Sequence, residues 1–407
     1  MNKLELLKIT SENGVIGRKE ENRKKIIRLL SRTEDSLSIP KIAESIDVSI
    51  PICTTLIKEF VDGGLIIREG KKVSENGRRP YTFSINKNRF FVIGVEILSK
   101  FIHLSIVTTD LKTKHTLVDR NFQLNYDEKS LEYILSFIKK AIKEAGVEKE
   151  NIIGLGVGIP DVVKDKNGAL TTYFSDKKTS LKYYLESHLD ISVLVENDAR
   201  TISVAEQTLG IAKGIDNVLV IKVSRTLGLS IISDKHIIKG SFGLAGNFNH
   251  TQFDKGSRLC NCGKTGCIGT QIGGNALLND LKEALLDNET SIYFNTKEID
   301  SYKYHDVLDT VLKGDELSIK LIQKQGHLLG KALGNIINLF DPELVLIGGE
   351  YVMVKDFFID AVKMGAKKTT LINSINHCKI EVSTLGRYLG SKAGAAMILK
   401  ASGMIDF

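Results

Sequence analysis

The sequence predicts a multidomain α/β protein: a small helical head closed by a hairpin, then two α/β units in tandem with a cysteine-rich insert in the second. Three observations carry this expectation. Three short helical patterns run end to end in the first seventy residues, strands and helices alternate from Arg89 onward, and the alternation breaks where three cysteines cluster. At 407 residues the chain exceeds what one hydrophobic core serves, and its 42% hydrophobic, 26% charged composition is that of ordinary globular domains. The expected division is 1–88, 89–210 and 211–407.

The head reads as helices over Glu20–Leu30, Ile39–Ile46 and Ile50–Val61. Ser38 and Ser49 stand where N-caps belong, each two residues ahead of a proline (Pro40, Pro51) that suits a first helical turn. Only Asp47 and Val48 lie between the second helix and Ser49, the cap of the third; Gly63-Gly64 ends the third, and LIIREGKK and RRPYTFSI then read as two hairpin strands. This is the pattern of a winged helix-turn-helix, in which the third helix enters the major groove. Ser49, Thr54, Thr55 and Lys58 are its candidate DNA contacts, with Ile52, Leu56, Ile57 and Phe60 expected in the core. The helices alone would equally suit a protein-protein module. GRRP, Gly77–Pro80, favours DNA, because Arg78 and Arg79 beside a stiff proline form a cationic finger suited to a narrow minor groove.

Charge agrees. Residues 1–88 hold 17 Lys and Arg against 12 Asp and Glu, so the first fifth of the chain carries most of the overall +7. A basic small domain fits a double-stranded DNA partner. No apolar run approaches the roughly 18 residues of a membrane span, and no signal-peptide pattern opens the chain. The expectation is a cytoplasmic protein with no membrane partner.

From Arg89 the strands expected are FFVIGVEI, FIHLSIVTT, RNFQLNY and IIGLGVGIP, with a helix over LEYILSFIKKAIKEAG. A second set, VLVIKV, LGLSIIS and KHIIKG, precedes the insert, and LVLIGGE and KIEVST follow it. Two such units predict two lobes with a cleft for a small ligand. The long helix Glu316–Phe340 reads as core rather than interface.

In the insert, His250, Cys260, Cys262 and Cys267 offer one imidazole and three thiolates within eighteen residues. Four N/S ligands close a tetrahedral shell around Zn2+, which makes the expected site structural. Three thiols in eight positions also suit a reducing compartment better than a disulfide framework.

The segment Gly243–Thr270, GLAGNFNHTQFDKGSRLCNCGKTGCIGT, resembles the zinc signature of the ROK family of bacterial repressors, open reading frames and sugar kinases. With the helix-turn-helix in front, the whole chain resembles the family's repressor branch, which includes xylose and N-acetylglucosamine repressors. The resemblance implies an actin-like ATPase (ribonuclease-H-type) duplicated α/β fold. It also implies a DNA operator and a sugar effector, and the two-fold symmetry of paired operator half-sites leads to the expectation of a homodimer or homotetramer.

Measured against the family's kinases, the phosphate loops are degenerate. The D-x-G-G-T turn corresponds to Glu96-Ile97-Leu98-Ser99-Lys100, without glycine, and G-T-G-x-G corresponds to Ser224-Arg225-Thr226-Leu227-Gly228. Gly348 and Gly349 remain, and read as a strand-to-helix turn. Asn197-Asp198 matches the site of the kinase base, and the loop Gly158-Ile159-Pro160 matches a cleft loop. Asn247 and Gly269 stand where family kinases carry glutamates. The expected effector contacts are therefore Gly158, Asn197, Asp198, Asn247 and His250, with Asp198 a vestigial base and no kinase activity. The alternative is an ATP-dependent sugar kinase with a regulatory DNA-binding head.

Overall fold

The computed structural model describes residues 17–405 except 34, 72–79, 126, 165–167, 172–173, 175–179, 254–255 and 387–388. It divides into two compact units, residues 1–208 with 388–407, and residues 209–387.

The first unit opens with α1 (Arg18–Arg32), β1 (Leu37–Ser38), α2 (Ile39–Ser45), α3 (Ile50–Asp62), β2 (Ile66–Lys71) and β3 (Tyr81–Ile85). The strands form a three-stranded sheet in the order β1-β3-β2, antiparallel throughout. Ser38 and Ser49 take the N-cap positions in extended conformation, but neither side chain caps its helix, so entry rests on backbone geometry and the following prolines. On α3, Cys53, Leu56, Ile57 and Phe60 are buried at helical spacing. Ile52, expected in the core, is instead exposed, and Cys53 takes the inward place one step along the helix.

The same unit continues with β4 (Phe91–Leu98), β5 (Phe101–Thr108), β6 (Thr113–Asp119), α4 (Glu128–Ala145), β7 (Ile152–Ile159), α5 (Leu181–Leu189), β8 (Val193–Asn197) and α6 (Asp198–Leu209). The sheet order is β6-β5-β4-β7-β8, with β4, β7 and β8 parallel and β5 and β6 antiparallel. The strand expected at RNFQLNY is not one; β6 lies just before it. Its alternation had another cause, since Phe122 and Leu124 are buried from an irregular segment in which the Leu124 amide donates to the Ser99 carbonyl.

The second unit comprises β9 (Val218–Val223), β10 (Leu227–Ser233), β11 (His236–Ile237), α7 (Gly274–Leu286), α8 (Tyr304–Leu312), α9 (Glu316–Phe340), β12 (Leu344–Gly348), α10 (Lys355–Ala366), α11 (Ile372–His377) and β13 (Lys379–Val382). Its sheet runs β11-β10-β9-β12-β13, again two antiparallel strands beside three parallel ones. The two sheets thus repeat one connectivity.

The last helix, α12 (Leu389–Ala401), belongs to the first unit, although the division at 211 had left it in the last segment. It lies directly on β4 and β7 because those strands carry glycine there. A Cβ on Gly94 would stand 1.7 Å from the Ser391 carbonyl oxygen, and one on Gly156 would stand 1.9 Å from that of Gly394. Beyond this contact, Ile398, Leu399 and Met404 join one core with Ile26, Leu30 and Phe60 of the head. No helix among the described residues is long and apolar enough to cross a membrane.

Candidate metal centre and candidate binding surfaces

After β11 the chain runs irregularly to α7, and this stretch brings together all four expected metal ligands. The ligand atoms of His250, Cys260, Cys262 and Cys267 lie within 4.8 Å of one another. His250 Nδ1 is 3.4 Å from Cys260 Sγ, and the Cys262 and Cys267 sulfurs are 3.6 Å apart. Ligands 2.0–2.3 Å from one tetrahedral zinc stand roughly 3.5 Å from each other, so the residues fit such an ion. Local sequence explains the cradle. Gly263 and Gly266 take φ of +84° and +77°, which lets the Cys260 amide bond the Lys264 carbonyl at 2.8 Å and fold the cysteine loop on itself.

The thiols are not equivalent. A hydrogen bond from the Lys264 amide holds Cys262 below the usual thiol range, whereas burial and the neighbouring thiols push Cys267 up to about 11. A bound cation favours the thiolate at each of them. Arg258, absent from the expected set, ties the loop to α7. Its Nη2 lies 2.8 Å from Asp280 Oδ1 and 2.7 Å from Glu283 Oε2, while Nη1 donates to the Thr270 carbonyl. Arg258 is two residues from a ligand and pairs with partners more than twenty residues away, so no local motif announces it.

On the head, Ser49, Thr54, Thr55 and Lys58 are all exposed along α3. Arg78 and Arg79 lie outside the described residues. Behind this face Glu59 accepts hydrogen bonds from Lys19 and Arg23 at 2.7 and 2.6 Å.

In the first unit's larger sheet, Gly158 is buried within β7 rather than in a loop, paired in register with Glu96 on β4 and Glu196 on β8. A Cβ there would meet the Thr201 side chain of α6 at 3.2 Å, which accounts for the glycine by packing. Asn197 begins α6. Its Oδ1 accepts from the Ala199 and Arg200 amides at 3.0 and 3.3 Å, and its Nδ2 donates to the Asp161 carbonyl. Asp198 Oδ1 accepts from the Ala199 amide at 2.8 Å and remains partly exposed at the positive end of the helix dipole. Buried Arg200 and Glu196, 3.4 Å apart, brace the turn. Asn247 and His250 belong to the second unit, and both are exposed there.

The second unit's loop after β9 is closed on its own helix. The first amides of α7 donate to it, Gly274 to the Ser224 carbonyl at 2.8 Å and Asn275 to that of Arg225 at 3.1 Å. Arg225 Nε also donates to Asn275 Oδ1. Gly348 ends β12, and at Gly349 the chain turns toward α10, where the Glu350 carboxylate accepts from the Tyr304 hydroxyl.

The model of the ROK family matches residues 92–402. The chain is 24% identical over 362 residues to the xylose repressor of Caldicellulosiruptor bescii, covering 88% of each. A ROK family transcriptional regulator homologous to the Escherichia coli Mlc protein superposes with a TM-score of 0.79 at 21% identity, over 94% of this chain and 98% of that one. A ROK family glucokinase from Streptomyces griseus gives a TM-score of 0.62 at 22% identity, over 75% and 98%. The α/β portion therefore has the sugar-kinase-like, actin-like fold of ROK proteins.

Proposed function

The chain belongs to the ROK family, and from that premise we propose that it is a DNA-binding transcriptional repressor of carbohydrate-metabolism genes, released by a sugar or sugar derivative. The observation that carries this is the head itself. Two helices with a short turn, an exposed outer face on the second of them, and a hairpin (β2 and β3) after it that pairs with the short β1 ahead of α2 make a winged helix-turn-helix with α3 as the recognition helix. Ser49, Thr54, Thr55 and Lys58 then line the side of α3 that faces DNA, and Arg78 and Arg79 are assigned to the minor groove on their sequence alone. The match to xylose repressors over most of both chains supports the same reading.

Asn197 and Asp198, pre-ordered at the start of α6, are the polar groups we assign to the effector in the first unit, with Gly158 packed behind them. In the second unit we assign to it Asn247 and the Nε2 edge of His250, whose Nδ1 faces the cysteines. The cysteine-histidine cluster holds structural Zn2+, whose closed shell braces the insert and leaves no position for substrate. The protein works in the cytoplasm as a homodimer on paired half-sites.

Loss of kinase activity is part of the proposal. It rests on the two phosphate-loop positions, where Glu96–Lys100 carries no glycine and Ser224–Gly228 keeps only Gly228, so close backbone approach to a phosphate is lost. One observation favours the alternative of an active kinase with a regulatory head, namely Asp198 at a strand end where a general base belongs. The deciding experiment incubates the protein with sheared genomic DNA at physiological salt and sequences what is retained. Enrichment of a few palindromic sites supports the regulator; uniform retention or none, together with ATP turnover on a sugar panel, supports the kinase.

A further inference from the structure

The outer face of α3 has a composition that decides how it reads DNA. Residues 49–52 are all exposed, and Ile50 and Ile52 leave 52% and 49% of their surface in water. Single exposed aliphatics are ordinary, but two isoleucines flanking Pro51 in the first turn of a helix that otherwise sorts cleanly are not. The threonines add to this. Thr54 Oγ1 donates to the Ile50 carbonyl at 2.7 Å and Thr55 Oγ1 to that of Pro51 at 3.0 Å, so each hydroxyl hydrogen is committed to the helix itself. Among Ile50, Pro51, Ile52, Thr54 and Thr55 no side chain has a donor hydrogen to offer a base. Glu59 is engaged by Lys19 and Arg23, which leaves exposed Lys58 as the cation of this face.

The N-terminal residues of a recognition helix meet the base edges, and the apolar group that B-DNA presents in the major groove is the thymine 5-methyl. Guanine is read by a bidentate Arg or Lys and adenine by Asn or Gln, and the exposed first turn of α3 carries none of these. We propose that α3 selects its site through thymine 5-methyl groups packed against Ile50 and Ile52, with Lys58 on a backbone phosphate. This rests on the DNA-binding reading above. Base discrimination at these positions is therefore by methyl burial, and α3 tolerates a change of base edge better than loss of the methyl.

The test takes the genomic duplex retained most tightly at physiological salt and resynthesises it with deoxyuridine replacing thymine at one position at a time. Fluorescence anisotropy then gives Kd for the full-length protein and for Ile50→Ala and Ile52→Ala, whose exposed sites disturb no core. The expected result is a loss of roughly fourfold per buried methyl group at a small number of positions. In the alanine variants the loss at the corresponding thymine disappears, while the salt dependence of binding stays unchanged. Uracil duplexes bound as tightly as thymine ones, or alanine variants that weaken both duplexes equally, overturn the proposal and leave the regulator reading standing. Failure to retain any preferred duplex overturns the regulator reading, and the proposal with it.

Discussion

The hydroxyls of Ser105 and Ser391 lie 2.8 Å apart and buried, joining β5 to a helix 286 residues later in the chain. That bond marks where α12 rests on the first unit's larger sheet, against Gly94 and Gly156. Because the obstacle to a methyl group there is a backbone carbonyl and not a movable side chain, Gly94→Ala must displace the helix. It should cost about 3 kcal/mol or more, the upper end of overpacking, whereas Ser391→Ala should cost only about 1 kcal/mol. Urea unfolding of the two variants checks the order. An alanine at 94 with the wild-type midpoint would show that α12 is not seated as described.

The metal cluster predicts a stoichiometry and a dependence. Purified protein should carry about one zinc per chain, and stripping it should lower the thermal midpoint of the second unit. Cys267→Ser removes a buried ligand and should abolish tight binding. Arg258→Ala leaves every ligand in place yet loosens the loop from α7, and should weaken zinc about tenfold in competition with a chromophoric chelator. Affinity should fall with pH, since protons compete for the thiolates. An Arg258→Ala protein with unchanged zinc affinity would mean that the cysteine loop holds its shape alone.

The head contains a titration of its own. Burial raises the Glu59 carboxyl, but the hydrogen bonds from Lys19 and Arg23 outweigh it and hold the group below the usual carboxylate value of 4.5. A depressed carboxylate contributes stability above its unfolded-state pKa and loses it as pH falls through the folded one. Glu59→Gln should therefore destabilise the head near neutrality, by up to about 1 kcal/mol for so partly exposed a network. The deficit should shrink on acidification below pH 4.5. A deficit that is constant down to pH 3 would assign the effect to packing.

What was legible in the sequence had local causes. Ser-x-Pro starts bound α2 and α3 and a Gly-Gly stop ends α3, and the expected ends of all three head helices fall within a turn of the observed ones. The four metal ligands announced themselves because a tight turn must gather them from neighbouring positions. What was missed depended on distant partners. β6 is an edge strand of alternating half-exposed polar residues, with no hydrophobic signature to read. Nothing near Leu389 says that α12 must cross back to Gly94 and Gly156. The sequence around Gly158 suggests a loop because the glycine's packing partner, Thr201, comes from α6. Arg258 is illegible for the same reason: its partners, Asp280 and Glu283, come from the following helix more than twenty residues on.

The remaining prediction concerns acid. His103 on β5 stands opposite Glu96 of β4 in register and within the influence of Lys392 on α12, with only 3% of its surface exposed. Burial, and secondarily the Lys392 charge, push its imidazole from the usual 6.5 down to about 4. The folded protein thus binds fewer protons here than the unfolded chain between those two values, so stability should fall as pH drops from 6.5 toward 4 and level off below that range. The loss attributable to this one group is about 3 kcal/mol at most. His103→Asn, which does not titrate, should be less stable at pH 7 because the site is packed around an imidazole. Its stability should nonetheless vary less with pH across that interval. Denaturant midpoints at several pH values for both proteins give the comparison directly, and parallel curves would mean that His103 keeps its proton inside the fold.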